Sequence, residues 1–228
     1  MNGKMAAIFG VLIIGLAVMG ASYAHWTETL TVEGYVETGE LAVGFEDCET
    51  NDDGPCCGDP AGSVDPWYDK NVASTNCYLE EQIGVHEEAP IYKKMVITIE
   101  NAYPDYESEV YCTVANGGTI PATAYNDTIS GTITYDGETY DLLFDMWFCG
   151  DCDLCRDIYI DLNGNGVIDE DEPCILYMDS YVEDCELLEQ LDPCDILYAG
   201  MWFLVLDDMP ENAVITLEAE MTWAQWNV

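Results

Sequence analysis

Alternation of apolar and polar residues, repeated in short segments, constrains the fold of this chain more than any other feature. The clearest case is the segment 214–223, whose odd-numbered positions are all apolar and whose even-numbered positions are mostly polar. Successive side chains of a strand point to opposite faces, so a period of two predicts a strand with one buried face. Similar alternation predicts strands within 27–36, 92–100 and 108–115.

A β-hairpin is predicted within 129–144, because Asp136-Gly137 lies between two alternating runs. An Asp-Gly pair accepts the positive φ angles of a tight two-residue turn. With a further strand near the C-terminus, at Met201 to Leu206, the chain offers about eight strands joined by short turns, and at most one short helix, within 180–191. This pattern predicts an all-β fold, specifically a jelly-roll-like β-sandwich.

Two cysteine-rich stretches interrupt the strand pattern, at about 46–81 and 149–194. Both are rich in Asp and Cys and show no regular period, which is typical of loops held by cross-links. We therefore expect residues 25–228 to form a single β-sandwich domain with two cysteine-rich loop insertions.

The eleven cysteines fall into two even groups with one residue between them. In an exported chain, the first group predicts two disulfides and the second predicts three. Cys112 shares a strand face with Val110 and Val114, so we expect a buried free thiol there. The alternative is that Cys112 pairs and another cysteine stays free. The groups are Cys48, Cys56, Cys57 and Cys77, and Cys149, Cys152, Cys155, Cys174, Cys185 and Cys194.

Residues 1–24 have the layout of a secretory signal peptide. Lys4 is followed by an apolar run from Ala6 to Gly20 and by small residues before a cleavage site after Ala24. We therefore expect a secreted protein of the cell surface, which contacts the membrane only through this leader before cleavage. Two alternatives remain open, namely an uncleaved membrane anchor and a pilin-like leader cut before the apolar run.

The charge balance excludes some partners. The chain carries 45 acidic residues, and removal of the leader would leave four basic ones: Lys70, Lys93, Lys94 and Arg156. Binding to a phosphate backbone requires basic clusters, so we expect no nucleic-acid partner. An acidic surface of this kind attracts divalent cations instead.

The segment 161–172 matches the twelve-residue calcium loop at each ligand position. Gly166 permits the sharp turn that this loop requires. Asp157 to Ile160 has the pattern of a strand and not of a helix, and Pro173 follows the segment directly, so the match is to the loop alone. The competing interpretation is an acidic turn without metal. The predicted Ca²⁺ ligands are Asp161, Asn163, Asn165, the Val167 carbonyl, Asp169 and Glu172.

Other motifs offer less chemistry. The spacing of Cys149, Cys152 and Cys155 suits a zinc or iron–sulfur site, but a fourth ligand at suitable spacing is missing and export favours disulfides. A hydrolase would depend on His25 or His86, and neither lies in a nucleophile motif. We expect that the protein is not an enzyme.

Asn126-Asp127-Thr128 is an acceptor sequence for N-glycosylation. It falls between two predicted strands, where a glycan would be exposed.

Three stretches resemble the TasA/camelysin group of exported β-sandwich proteins, whose leaders are of the SipW-processed type. They are the leader running into His25-Trp26-Thr27-Glu28, the segment from Val114 to Pro121 with its Asn-Gly-Gly-Thr-Ile-Pro sequence, and the closing segment from Leu206 to Trp223. The two cysteine-rich insertions and the calcium loop do not belong to this resemblance.

The resemblance implies a structural subunit of an extracellular filament or biofilm-matrix fibre. In such fibres the N-terminal strand of one subunit fills a groove in the next, and His25 to Val36 has the alternation that suits this role. The partner would be a second copy of the same chain, joined head to tail into a homopolymer. An ordinary edge strand packed on its own subunit is the alternative for this segment. For the whole protein, the alternative is a monomeric calcium-binding cell-surface or adhesion domain.

Overall fold

The computed structural model describes residues 39–52, 72–150 and 152–225. The predicted leader, the predicted donor strand 25–36 and the centre of the first insertion lie outside these residues. No helix of the described part is long and apolar enough to cross a membrane. The elements are β1 (Val43–Thr50), β2 (Ser74–His86), β3 (Ala89–Glu100), β4 (Glu107–Asn116), β5 (Ala122–Tyr135), β6 (Glu138–Phe148), β7 (Leu154–Ile160), β8 (Cys174–Val182), α1 (Glu186–Glu189), β9 (Ile196–Val205) and β10 (Val214–Gln225).

All strands belong to one antiparallel sheet in the order β1-β4-β9-β8-β7-β6-β5-β10-β3-β2. Phe45 of β1 pairs with Tyr92 of β3, which closes nine of the strands into a barrel and leaves β2 on the outer edge of β3. The all-β prediction is therefore confirmed. The two separate sheets of a sandwich are not what forms, because β1 pairs with both β4 and β3 and so joins the ends of one sheet.

The core lies inside the barrel and follows the predicted alternation. Ile99, Ile215 and Ile133 are register partners across β3, β10 and β5, and all three are fully buried. The strand assignment of 214–223 is thus confirmed, since side chains at odd positions point inward along most of β10. Cys112 is buried between Val110 and Val114 on the inner face of β4, as predicted.

The Asp136-Gly137 hairpin is also confirmed. Both residues have positive φ, 51° and 83°, and they join β5 to β6 in a two-residue turn. Pairing between these strands runs only from Tyr135↔Glu138 to Thr132↔Asp141. The two strands of the hairpin are therefore paired near the turn and not along their full length.

Two strands of the barrel, β7 and β8, lie within 149–194, the second predicted insertion. Only Glu186–Glu189 is helical within the segment 180–191, because β8 continues through Val182. Acidic residues and cysteines occupy only four of the sixteen positions of these strands, so the composition of the whole stretch hid two segments that are mostly apolar.

Three disulfides join the described cysteines: Cys48–Cys77, Cys149–Cys155 and Cys152–Cys185. The prediction of three bridges in the second group is wrong, because Cys174 and Cys194 are both free. Leu176 pairs with Val205 whereas Val182 pairs with Ala199, so the two thiols lie at opposite ends of the β8–β9 pair. A bridge between them would have to span the length of a strand, far beyond disulfide reach.

Candidate functional site

The loop 161–172 connects β7 to β8 and is closed at its base by backbone pairing. The Ile160 N–H donates to the Pro173 carbonyl at 3.2 Å, so Asp161 and Glu172 stand next to each other across the base. Both of these acidic side chains are buried, whereas residues 162–171 are exposed. The first and last predicted calcium ligands therefore both lie at the base of the loop, one on each side.

Asp161 organises the first half of the loop through backbone hydrogen bonds. Its Oδ1 accepts from the N–H groups of Gly164 and Asn165 at 2.6 and 3.2 Å, and its Oδ2 accepts from Gly166 at 2.9 Å. These donors, Gly166 first, hold the pKa of Asp161 below its usual range. Gly164 and Gly166 have φ of 71° and 72°, a region that glycine enters without strain. The glycines thus let the backbone wrap around a charged carboxylate.

The polar side chains of the loop are linked to one another. The side-chain amides of Asn163 and Asn165 both donate to Asp169 Oδ2, at 2.9 and 2.8 Å. Their side-chain oxygens accept from the N–H groups of Asn165 and Val167. The structure therefore brings predicted ligand positions 3, 5 and 9 of the calcium template together.

Glu172 carries the one anomaly of the loop. Its Oε2 accepts from the Asp169 N–H at 3.1 Å, whereas its Oε1 is buried and has no hydrogen-bond partner among the described residues. No ion pair of the described residues involves Asp161, Asp169 or Glu172. A buried carboxylate oxygen without a donor or a cation is unfavourable and requires an explanation.

The cysteine motif at 149–155 does not offer a thiolate site in this structure. The sulfurs of Cys149 and Cys155 and a carboxylate oxygen of Asp179 lie within 4.8 Å of one another. Cys149 and Cys155 are joined as a disulfide, and Cys152 is joined to Cys185. Zinc and iron–sulfur sites require cysteine thiolates, and these cysteines form disulfides instead.

His86 is buried, and its Nδ1 lies 3.4 Å from Glu46 Oε1. Its Nε2 has no hydrogen-bond partner within the described ranges, so no serine or cysteine nucleophile is hydrogen-bonded to it there. His25 lies outside the described residues.

One edge of β5 is open along most of its length, a feature that the sequence did not predict. The other edge pairs with β10 from Thr134 to Ala122. Between residues 124 and 131, no described strand pairs with the edge that faces β6. β6 leaves β5 at Asp141 and pairs with β7 from Leu142 to Phe148. We call this unpaired edge of β5, residues 124–131, the open edge.

A cavity of about 580 Å³ lies behind the open edge. It reaches the surface beside Tyr125 and Phe148, which are 77% and 81% exposed. Its wall is mostly apolar and comes from the inner faces of several strands, including Phe45, Ile129, Leu154, Met201, Ala219 and Met221. This volume would accept several apolar side chains from a partner.

Arg156 crosses the interior next to this cavity. Its guanidinium donates to Asp127 Oδ2 on β5 at 2.6 Å and to Ser180 Oγ on β8 at 2.9 Å. Burial lowers the pKa of Arg156, and the Asp127 carboxylate opposes that effect. The ion pair ties β5 to β7 across the gap where β5 and β6 do not pair.

Asn126 of the predicted glycosylation sequence is exposed, but it lies within β5 and not between strands. The expectation of a connecting turn at this position is therefore wrong. The residue pairs with Thr222 of β10 and belongs to the open edge.

The three disulfides of the described residues are compatible with an oxidising environment outside the cytosol. Comparisons with protein-family models, with curated proteins and with solved structures found no match to this chain.

Proposed function

We propose that the protein is a secreted structural subunit of an extracellular filament or biofilm-matrix fibre, and not an enzyme. Copies would join head to tail when the N-terminal strand His25–Val36 of one copy adds to the open edge of the next. The observation that carries this proposal is the open edge with the apolar cavity behind it.

The backbone of the open edge favours an extended partner over a small ligand. An unpaired strand edge presents N–H and C=O groups that another strand can satisfy. Side chains of an added strand alternate between its two faces, so every second one would enter the cavity. A compact small molecule would fill the cavity and leave the backbone edge unpaired.

The donor segment has the pattern that such an edge requires. In the twelve residues from His25 to Val36, Leu30 and Val32 share one face, whereas Thr29, Thr31 and Glu33 share the other. The apolar face would pack into the cavity and the polar face would meet solvent. A contact that joins one end of a subunit to a different surface of the next does not close on itself, so it builds a filament.

Electron microscopy of the native secreted material tests this proposal directly. We expect filaments whose subunits begin at His25. Leu30→Asp should abolish them, because it places a charge on the face that enters the cavity. Thr31→Asp is the matched control, since it adds the same charge on the opposite face, and filaments should persist. Dispersed wild-type monomers, or equal loss in both variants, would contradict strand donation.

A second candidate function is a monomeric calcium-binding cell-surface or adhesion domain. The buried, unpartnered Glu172 Oε1 favours it, because a loop metal alone requires no assembly. The two candidates differ in the state of the native protein, which is a polymer in the first and a stable monomer in the second.

A further inference from the structure

We propose that the loop 161–172 binds one Ca²⁺ ion, with Asp161 and Glu172 as the two buried ligands at its base. This inference is independent of filament assembly. It starts from the position of these carboxylates, which are only 5% and 8% exposed and lie on the two sides of the base that the Ile160–Pro173 hydrogen bond closes. No basic residue of the described chain forms an ion pair with either carboxylate. A cation bound at the base would supply the missing positive charge.

Glu172 distinguishes this loop from an ordinary acidic turn. In a metal-free turn, a carboxylate at this depth would be expected to find donors for both oxygens. Here Oε2 receives the Asp169 N–H, and this bond holds the carboxylate against the loop. Oε1 of the same group is buried there without a donor. Position 12 of the calcium template supplies two oxygens to the ion, so metal binding explains why Oε1 has no partner within the protein.

The remaining donors favour calcium over other metals. Asp161, Asn163, Asn165, Asp169 and Glu172 offer oxygen ligands, whereas zinc sites in proteins take most of their ligands from histidine nitrogen or cysteine sulfur. Ca²⁺ takes six to eight oxygens in a flexible array, and Mg²⁺ demands a smaller octahedral one. The middle of the loop is exposed and contains two glycines at positive φ, which suits the larger and more tolerant ion.

Bound calcium would act on the barrel through the base of the loop. The Asp161 N–H donates to the Asp141 carbonyl of β6 at 3.0 Å, and Ile160 and Pro173 join β7 to the start of β8. The ion would therefore fix three neighbouring strands, β6, β7 and β8, at one end. Asp141 is also the last residue of β6 that pairs within the β5–β6 hairpin, so the metal would set where the open edge begins.

The first measurement is calorimetric titration of the purified full chain with CaCl₂ after treatment with a chelator, in about 0.15 M NaCl to screen surface charge. We expect one saturable site per chain, in the range of about 10⁻⁴ to 10⁻³ M that is typical of extracellular calcium modules, or tighter. Mg²⁺ should compete poorly. Only weak, non-stoichiometric binding that the salt abolishes would overturn the proposal, because it would show general attraction to an acidic surface.

Variants locate the site. Glu172→Gln and Asp161→Asn should each weaken Ca²⁺ binding by at least about tenfold. Glu170→Gln is the matched control, since it removes one charge from an exposed position of the same loop that the template does not use. Equal affinity in Glu172→Gln and Glu170→Gln would overturn the assignment.

Hydrogen exchange of the wild-type protein provides a readout that does not depend on variant folding. Addition of CaCl₂ should slow exchange in the peptides that cover 141–145 and 158–176. The exchange rates of peptides from the paired strands β1 and β4 should not change. Uniform slowing across the barrel, or no change near the loop, would contradict binding at this position.

Discussion

The two edges of β5 differ although they belong to the same strand. One edge pairs with β10 from Ala122 to Thr134, and the other pairs with β6 only from Thr132 to Tyr135. β10 is distant in sequence, whereas β6 follows after two residues. Closeness along the chain therefore does not decide which pairing extends furthest. The longer pairing goes with the better-buried inner face, because β10 buries side chains at alternate positions whereas the end of β6 leaves Met146 and Phe148 exposed.

The largest expected effect tests the paired edge. Ile215→Ala should lower the free energy of unfolding by about 3 kcal/mol, because Ile215 is fully buried between Ile99 and Ile133. Ile129→Ala, at the open edge where the side chain is only partly buried, should lower it by about 1 kcal/mol. Urea unfolding followed by tryptophan fluorescence measures both. Equal losses would show that the open edge is closed in solution.

A smaller effect tests the ion pair that spans the gap. Asp127→Asn should reduce stability by about 2 kcal/mol, because Arg156 would remain buried without its counterion. The value lies below that of a fully buried pair, since the Asp127 side chain is 46% exposed. In an Arg156→Met background the same change should have little effect, and a double-mutant cycle from urea unfolding isolates the coupling. Additive losses would mean that the pair does not hold the gap.

A substitution in the turn that joins β5 to β6 should lower the free energy of unfolding by about 1 kcal/mol. Gly137→Ala places a Cβ at φ 83°, a region that L residues other than Asn and Asp avoid. Gly137→Asn should recover much of the loss, which thermal unfolding of the two variants would reveal. If Ala and Asn behave alike, the turn does not depend on its positive φ, and another contact holds β6 to β5.

The smallest effect concerns the cavity behind the open edge, which Cys112 helps to line. Burial raises the pKa of the Cys112 thiol from 9.0 to about 12. The folded state then retains a proton that the unfolded chain loses above pH 9, so stability falls as pH rises through this window. The difference in unfolding free energy between wild type and Cys112→Ala should shrink by about 0.8 kcal/mol between pH 7 and 9.5. A constant difference would indicate that water enters through the open edge and solvates the thiol.

Local patterns predicted the elements that depend on neighbours in sequence. Alternation located β10, the buried face around Cys112 and the two strands of the Asp136-Gly137 hairpin. The spacing of oxygen donors located the loop 161–172, and the structure brings most of those side chains together. Strand β7 was recognised only from Asp157 to Ile160, because Arg156 occupies an inward position where alternation predicts an apolar residue.

Long-range pairing could not be predicted from such patterns. Nothing in Phe45 or Tyr92 indicates that they meet and close the barrel, and the open edge of β5 looks in sequence like any other alternating strand. The free oxygen of Glu172 was equally hidden, because it depends on how deeply the loop base is buried. Each of these features depends on residues that are far apart along the chain.

The place of β10 between β3 and β5 has a consequence for the order of folding. The strands that β10 joins end at Glu100 and Tyr135, roughly 80 to 115 residues before their partner. Contacts of such high sequence separation form slowly, and until they form, β3 and β5 each present a bare edge to other chains. The hairpin of β5 and β6 can form early, but the barrel cannot close before the last strand has emerged. Until β10 has emerged, the chain therefore presents two strand edges to which other chains can add.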